Sequence, residues 1–339
     1  MKHYLGVSAL LICLLFLLPL FTKVSPKVSP METPSGEAEP EPTKIEVLPP
    51  GKIDSQTKLK VKDGDTVTEM NMSDYLAGVV RAEMPASFEQ EALCAQAVAA
   101  RTYTLYKMTT GGNHGDEADV CTDPTCCQAY LDEESARKNW GDKADTYEAK
   151  IENAVAETDG QAILFNGSPI LAAFHSSSAG MTKSSGEVWT QDLPYLQSVT
   201  SPEQGDKIPN YYSRVEFTAA KFRTLFLKAH PEADLSGSMS GWIKNPVIGD
   251  GDNVDTVTVG GVTVRGTEMR TIFSLRSASF ETEVQGDKMV FFVTGYGHGV
   301  GMSQYGANEM AKEGSTWKDI VTHYYTGVTV ATYMPDEEA

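Results

Sequence analysis

Glu83 stands in the run AEMPASF with Met84, Pro85 and Phe88 as apolar neighbours. A carboxyl group among such side chains is destabilised when charged, so its pKa rises and it can hold a proton near neutrality, the profile of a general acid. A helix expected to start four residues later opposes this, because the positive end of a helix favours the carboxylate. The residues alone leave open whether Glu83 does chemistry or serves a local turn. A second constellation lies in GGNHGDEADVCTDPTCCQAY, where His114, Cys121, Cys126 and Cys127 fall within fourteen residues among turn-forming Gly, Asp and Pro. Zinc takes such mixed thiolate and imidazole ligands in tetrahedral geometry. His114, Cys121 and Cys127 are the first choices. Cys126 competes for the fourth position with water or a carboxylate, since adjacent cysteines rarely both reach one ion without strain. A disulfide is the rival outside the cytoplasm, with Cys94 as the available outside partner, although on an alanine-rich helix Cys94 reads as a small buried apolar residue.

The glycine-rich run GYGHGVG is no nucleotide site: its spacing is neither a P-loop nor a dinucleotide fingerprint, and no Gly-Lys-Ser/Thr follows it. A nucleotide cofactor is therefore not expected. Its glycines allow close approach of backbone to a ligand or a neighbouring strand, and His298 between them is either an acid or base or a hydrogen-bonded structural residue. No Gly-x-Ser-x-Gly elbow presents a serine nucleophile.

The elements that must position these groups are mixed. KLKVK and DTVTEM flank Asp63-Gly64, QAILF and SPILAAFH flank Asn166-Gly167, DTVTV and VTVRG flank Gly260-Gly261, and Phe280 to Thr294 folds around Gln285-Gly286-Asp287; each predicts a hairpin. Ser87 with Gln90 predicts a capping box opening a helix from Phe88 to about Met108, with Ala92, Ala95, Ala99 and Tyr103 at helical spacing. Helices are also expected over Met302 to Lys312 and Trp317 to Tyr324. Several hairpins packed with separate helices define an α+β fold rather than a parallel βαβ repeat.

Residues 5 to 22 carry no charge and approach the length of a membrane-crossing helix. Residues 1–23 are read as a single N-terminal transmembrane anchor, with a cleaved signal peptide as the rival, and the bulk of the chain is then extracytoplasmic. Seven of the seventeen prolines fall at Pro26, Pro30, Pro34, Pro40, Pro42, Pro49 and Pro50, which makes residues 24–52 a disordered stalk. Residues 53–335 form one folded unit with room for two lobes, and residues 336–339 an acidic tail. With 28 basic and 46 acidic residues the chain carries −18, a field that repels nucleic acid.

The segments AEMPASF, EALCAQAVAARTY, FHSSSAG, GEVW, PYLQSV and GYGHGVGMSQYGANEMAKEG, in that order, resemble the stage II sporulation protein D family across most of residues 60 to 328. The resemblance implies a membrane-anchored lytic transglycosylase that degrades septal peptidoglycan during engulfment, with the mother-cell membrane as its site. A sporulation amidase and a membrane scaffold protein are the implied partners. It implies a glycan cleft between the lobes and puts the catalytic acid at Glu83, a helical arginine at Arg101 and a tyrosine at Tyr195. Where relatives are expected to read PYLKSV this chain has Gln197, so a cationic contact is lost or is supplied by Lys183. His175 and Ser177, and His298, Ser303, Gln304 and Tyr305, are implied groove residues, joined by Trp189 and Tyr296 as sugar-binding aromatics. The resemblance also implies a structural zinc held by the His/Cys run. The rival function is a non-catalytic peptidoglycan-binding module that activates an amidase, as the related domains of amidase enhancers would.

Overall fold

The structure, a computed structural model, describes residues 45–335 apart from Asn113, Asp116 and Gln204. The expected anchor, the stalk up to Lys44 and the acidic tail lie outside the described residues. No described helix is long and apolar enough to cross a membrane.

The chain enters as a strap. The Leu48 N–H donates to Asn153 Oδ1 (2.8 Å) and Asn153 Nδ2 to the Glu46 carbonyl (2.8 Å), so ordered chain begins before residue 53. Helix α1 (Lys52–Gln56) leads into strands β1 (Lys58–Asp63) and β2 (Thr66–Asn71). Their hairpin pairs Asp63 with Thr66, which puts the turn on Gly64-Asp65, one residue beyond the expected place. Helices α2 (Met72–Glu83) and α3 (Gln90–Thr110) follow, then β3 (Val120–Cys121), parallel to β1. Next come α4 (Glu133–Trp140), α5 (Ala144–Glu157), and strands β4 (Gln161–Phe165) and β5 (Ser168–Pro169). The turn between those strands holds Asn166 and Gly167 at positive φ, as a two-residue hairpin requires.

Helix α3 is about 31 Å long at 1.5 Å per residue, and it runs through the centre of the first hydrophobic cluster. Its residues from Ala92 to Ala100 are all buried, and the small side chains let α2, α5 and β4 approach closely. The expected capping box does not form. Glu89 is the N-cap, makes no side-chain cap bond, and donates its N–H to Asn308 Oδ1 (2.8 Å). On α2, Gly78 seats Tyr130: a Cβ there would come within 2.1 Å of the ring.

Strand β6 (Phe174–His175) is followed by the short helix α6 (Ser185–Val188). The chain then builds a second lobe: β7 (Tyr212–Thr218), α7 (Ala219–Ala229), β8 (Ile243–Ile248), β9 (Val254–Val259), β10 (Val262–Arg265), α8 (Gly266–Phe273), β11 (Phe280–Gln285) and β12 (Lys288–Thr294). Two three-stranded antiparallel sheets, β10-β9-β8 and β11-β12-β7, enclose a second cluster with Phe222, Phe226, Phe273 and Phe291 at its centre. The hairpins expected at Gly260-Gly261 and at residues 280 to 294 are both here.

After β12 the chain re-enters the first lobe. Strand β13 (Met302–Ser303) pairs parallel with β6, and helices α9 (Gln304–Lys312) and α10 (Trp317–Tyr324) pack on α3 before β14 (Thr329–Thr332) closes on β4. Gly301, at φ +72, carries the chain past the Ala173 carbonyl, which a Cβ would meet at 2.0 Å. Helix α10 starts where expected, on a capping box of Thr316 and Asp319. The fold is α+β, with the second lobe inserted between β6 and β13.

Candidate functional site

Helix α2 ends at Glu83 because Met84 is extended ahead of Pro85, the conformation a residue before proline prefers. Glu83 is half-buried, and its Oε1 accepts the Ala129 N–H at 2.8 Å. Burial holds its pKa above the ordinary carboxylate value; the Ala129 N–H and the Gln304 amide pull the other way and only partly offset it. The expected opposition from a helix N-terminus is not what the chain builds. Glu83 sits at the C-terminal end of α2, whose negative pole works with burial.

Two recesses meet at this carboxyl. One, of about 580 Å³, is walled by Gln128, His175, Trp189, Arg270 and Tyr296. The other, of about 310 Å³, is walled by Arg81, Trp140, Ser176, Gln304 and Tyr305. Glu83 lines both, and it is the one carboxylic acid among the described residues that do. The walls suit a sugar chain: Trp189 and the half-exposed Tyr296 offer flat apolar faces, and amide groups offer hydrogen bonds.

His175 and Gln304 therefore lie where the motifs put them. His175 is 4% exposed, its Nδ1 meets the Val300 carbonyl at 3.2 Å, and burial drives its pKa well below the usual imidazole value. His298 lines the same recess but is committed on both ring nitrogens. Nδ1 accepts the Val300 N–H (3.1 Å), the ring also bonds the Phe174 backbone, and its pKa is pushed down to about 4, burial being the main cause. It is a wall residue whose ring lies tilted beside Trp189, 5.5 Å between centroids, with burial favouring its neutral form. Tyr305 packs edge-on against Phe88 in the smaller recess.

Other expected contacts are made to protein instead. Arg101 is 1% exposed. It grips Asp54 through Nε (2.9 Å) and Nη2 (2.6 Å) and spends its other donors on Thr158 and the Val155 and Gln161 carbonyls, so no donor remains for a glycan. Lys183 is buried and bonds Asn253 of the second lobe, with its pKa pushed down to about 8 by burial; Gln197 turns to the Leu193 carbonyl (3.0 Å). Neither brings a cation to the recesses. Tyr195 is buried beneath the groove, its hydroxyl accepting the Leu171 N–H (3.3 Å), and so positions a lining residue rather than lining the groove itself. Ser303 is the fully buried N-cap of α9 and bonds Glu203; Ser177 is buried and ladders with Tyr296 through its backbone.

The cations that do line the larger recess are Lys107 and Arg270. Arg270 was out of reach of motif reading because α8 belongs to the inserted lobe and matches none of the ordered segments.

His114, Cys121, Cys126 and Cys127 come together, with one ligand atom of each within 4.8 Å of the others. The sulfurs of Cys126 and Cys127 are 3.9 Å apart, and Cys126 Sγ is 3.4 Å from His114 Nε2. Tetrahedral zinc with Zn–S bonds of about 2.3 Å sets its sulfurs roughly 3.8 Å apart, whereas a disulfide needs about 2.0 Å. The donor set and spacing fit zinc, the neighbouring cysteines included. Cys94 is remote from this group in its contacts, lying against Glu157. The cluster leads straight into the site: Cys127 lines the larger recess, and Ala129 two residues on supplies the hydrogen bond to Glu83.

A two-lobed α+β domain with one half-buried acid at the meeting of two recesses, and a His/Cys cluster bracing the loop that holds it, is the class that fold and site define. A family model described as stage II sporulation protein matches residues 60–165. The chain is 39% identical over 267 residues to stage II sporulation protein D of Bacillus subtilis (strain 168) and 36% identical to that of Bacillus amyloliquefaciens, in each case covering 78% of this chain and 76% of the relative. It belongs to the stage II sporulation protein D family. It is also 28% identical over 306 residues to the amidase enhancer of Bacillus subtilis (strain 168), covering 76% of this chain and 40% of that protein.

Proposed function

We propose that this protein is a peptidoglycan lytic transglycosylase acting in septal wall degradation during sporulation. It would cleave between N-acetylmuramic acid and N-acetylglucosamine with Glu83 as the single acid and base. The observation that carries this is the solitary carboxyl at the meeting of the recesses. Ordinary glycoside hydrolysis uses two carboxyl groups across the scissile bond, and only Glu83 is available among the described lining residues. Its raised pKa suits a proton donor. In the proposed reaction Glu83 protonates the glycosidic oxygen as the C1–O bond breaks. The muramic C6 hydroxyl oxygen then bonds to C1, and its proton passes to the Glu83 carboxylate. A 1,6-anhydro ring forms, no water is consumed, and the acid is restored. The full chain incubated with peptidoglycan is expected to release 1,6-anhydromuropeptides, read by mass spectrometry; reducing ends alone would reject the reaction.

His114, Cys121, Cys126 and Cys127 would hold a structural zinc ion, which supplies a tetrahedral cross-link for the loop carrying Ala129. Elemental analysis of protein prepared without added metal is expected to find about one zinc per chain, as a closed four-ligand site implies. A chain without metal and two hydrogens lighter would mean a disulfide instead. In this proposal residues 1–23 anchor the chain, the lobes face the wall outside the cytoplasm, and an amidase and a membrane scaffold share the complex.

The likeness to an amidase enhancer favours a second reading, a non-catalytic wall-binding module that activates an amidase. Stimulation of an amidase by a chain that yields no anhydro product would select it.

A further inference from the structure

Arg270 is the second lobe's own contribution to the larger recess. The guanidinium is half-buried, and no carboxylate among the described residues pairs with it. Arg81, which lines the smaller recess, is by contrast held by buried Glu148 (Nε to Oε2, 3.0 Å). A partly desolvated cation without a partner is costly, and a ligand that brings the partner relieves that cost on binding. Its field falls on both recess histidines and favours their neutral forms.

His175 supplies the complementary group. A carbonyl can only accept, so the contact with Val300 requires the proton on Nδ1, and in neutral imidazole Nε2 is then a bare acceptor. That Nε2 is buried and has no partner among the described residues. One wall thus carries an unpaired fork of donors and an unpaired acceptor, with Trp189 and Tyr296 as flat faces beside them. The matching ligand has an anionic group and, near it, a hydroxyl or amide N–H.

We propose that Arg270 is a specificity residue that binds a carboxylate on the saccharide, while His175 Nε2 accepts from a hydroxyl or amide N–H of the same unit. This rests on the reading that a peptidoglycan strand occupies the groove. The carboxylate has two sources on such a strand, the lactyl ether of a peptide-free muramic acid or an attached stem peptide. A guanidinium fork suits either, and lysine in its place would lose the two-point contact.

The test is equilibrium binding to the full chain carrying Glu83→Gln, so that turnover does not interfere. The probes are a peptide-free GlcNAc–MurNAc tetrasaccharide, the same compound with its carboxylates converted to methylamides, a stem-peptide-bearing tetrasaccharide, and chitotetraose. The carboxylate-bearing ligand is expected to bind about tenfold or more tightly than the amidated one, the increment of a charge-assisted hydrogen bond. Adding Arg270→Gln should abolish that difference while leaving chitotetraose binding unchanged, and Arg270→Lys should restore part of it. The same Arg270 dependence confined to the peptide-bearing probe would also support the proposal and place the carboxylate on the peptide. A carboxylate preference that survives Arg270→Gln, or no preference at all, would overturn it. Failure of all four saccharides to bind would instead reject the groove reading beneath it.

Discussion

Glu83→Gln is expected to lower turnover by a factor of about 10² to 10⁴, the usual worth of positioned proton transfer, while saccharide affinity stays close to that of the parent. Glutamine keeps the shape, and its carbonyl oxygen can still accept the Ala129 N–H that Glu83 Oε1 accepts at 2.8 Å. What it lacks is a proton to give. The same variant has a stability signature. Burial raises the Glu83 pKa in the folded state. Between the ordinary carboxylate pKa and that raised value the folded chain therefore binds more protons than the unfolded one. Stability falls as pH rises through the window and stays reduced above it. Glutamine removes that penalty, so at neutral pH the variant should melt no lower than the parent, and any gain should fade below the ordinary carboxylate range. For the parent, kcat/KM should decline as pH rises through the raised pKa, because the acid form does the work. A variant that unfolds more easily, or that still turns over, would remove Glu83 from the role.

Arg101→Met is expected to destabilise the fold by about 3–5 kcal/mol, the cost of leaving a buried charge without its partner. Asp54 is 2% exposed and meets the guanidinium in a two-point contact; Thr158 and two carbonyls at the α5–β4 junction lose donors as well. Denaturant unfolding of the variant should show the loss. The double variant with Asp54→Leu should recover part of it, since removing both charges removes the uncompensated one. A variant that unfolds like the parent but no longer binds saccharide would return Arg101 to the groove, where motif likeness had put it.

Motif likeness shows that a residue matters in a family and does not show what it touches, and the site residues divide along that line. Glu83, His175, Gln304 and the His/Cys run carry chemistry in their own side chains, and they are at the groove or beside it. Arg101, Tyr195 and Ser303 belong to the same ordered segments and Lys183 lies between two of them, yet all four hold the scaffold: a buried ion pair, a post under Leu171, a helix cap and a tie between lobes. The four hairpins were legible because two-residue turns carry a local chemistry, with Asn166 and Gly167 at positive φ as the plainest case. Helix α10 was legible through the Ser315-Thr316 start signal just ahead of it. Helix α2 was not, although it delivers Glu83: it follows directly on β2, and its N-cap Asn71 makes no side-chain cap bond, so no local start signal announces it. Arg270 depends on a lobe that folds back across some eighty residues of chain, a long-range placement with no local signal in the sequence.

The most direct test of the single-acid route is digestion of peptide-free glycan strands in heavy-oxygen water. Ring closure by the C6 hydroxyl predicts 1,6-anhydro ends that carry no solvent oxygen, formed by the parent chain and not by Glu83→Gln. Reducing ends bearing the heavy isotope would mean that water, not the sugar's own hydroxyl, attacks C1, and would contradict the account.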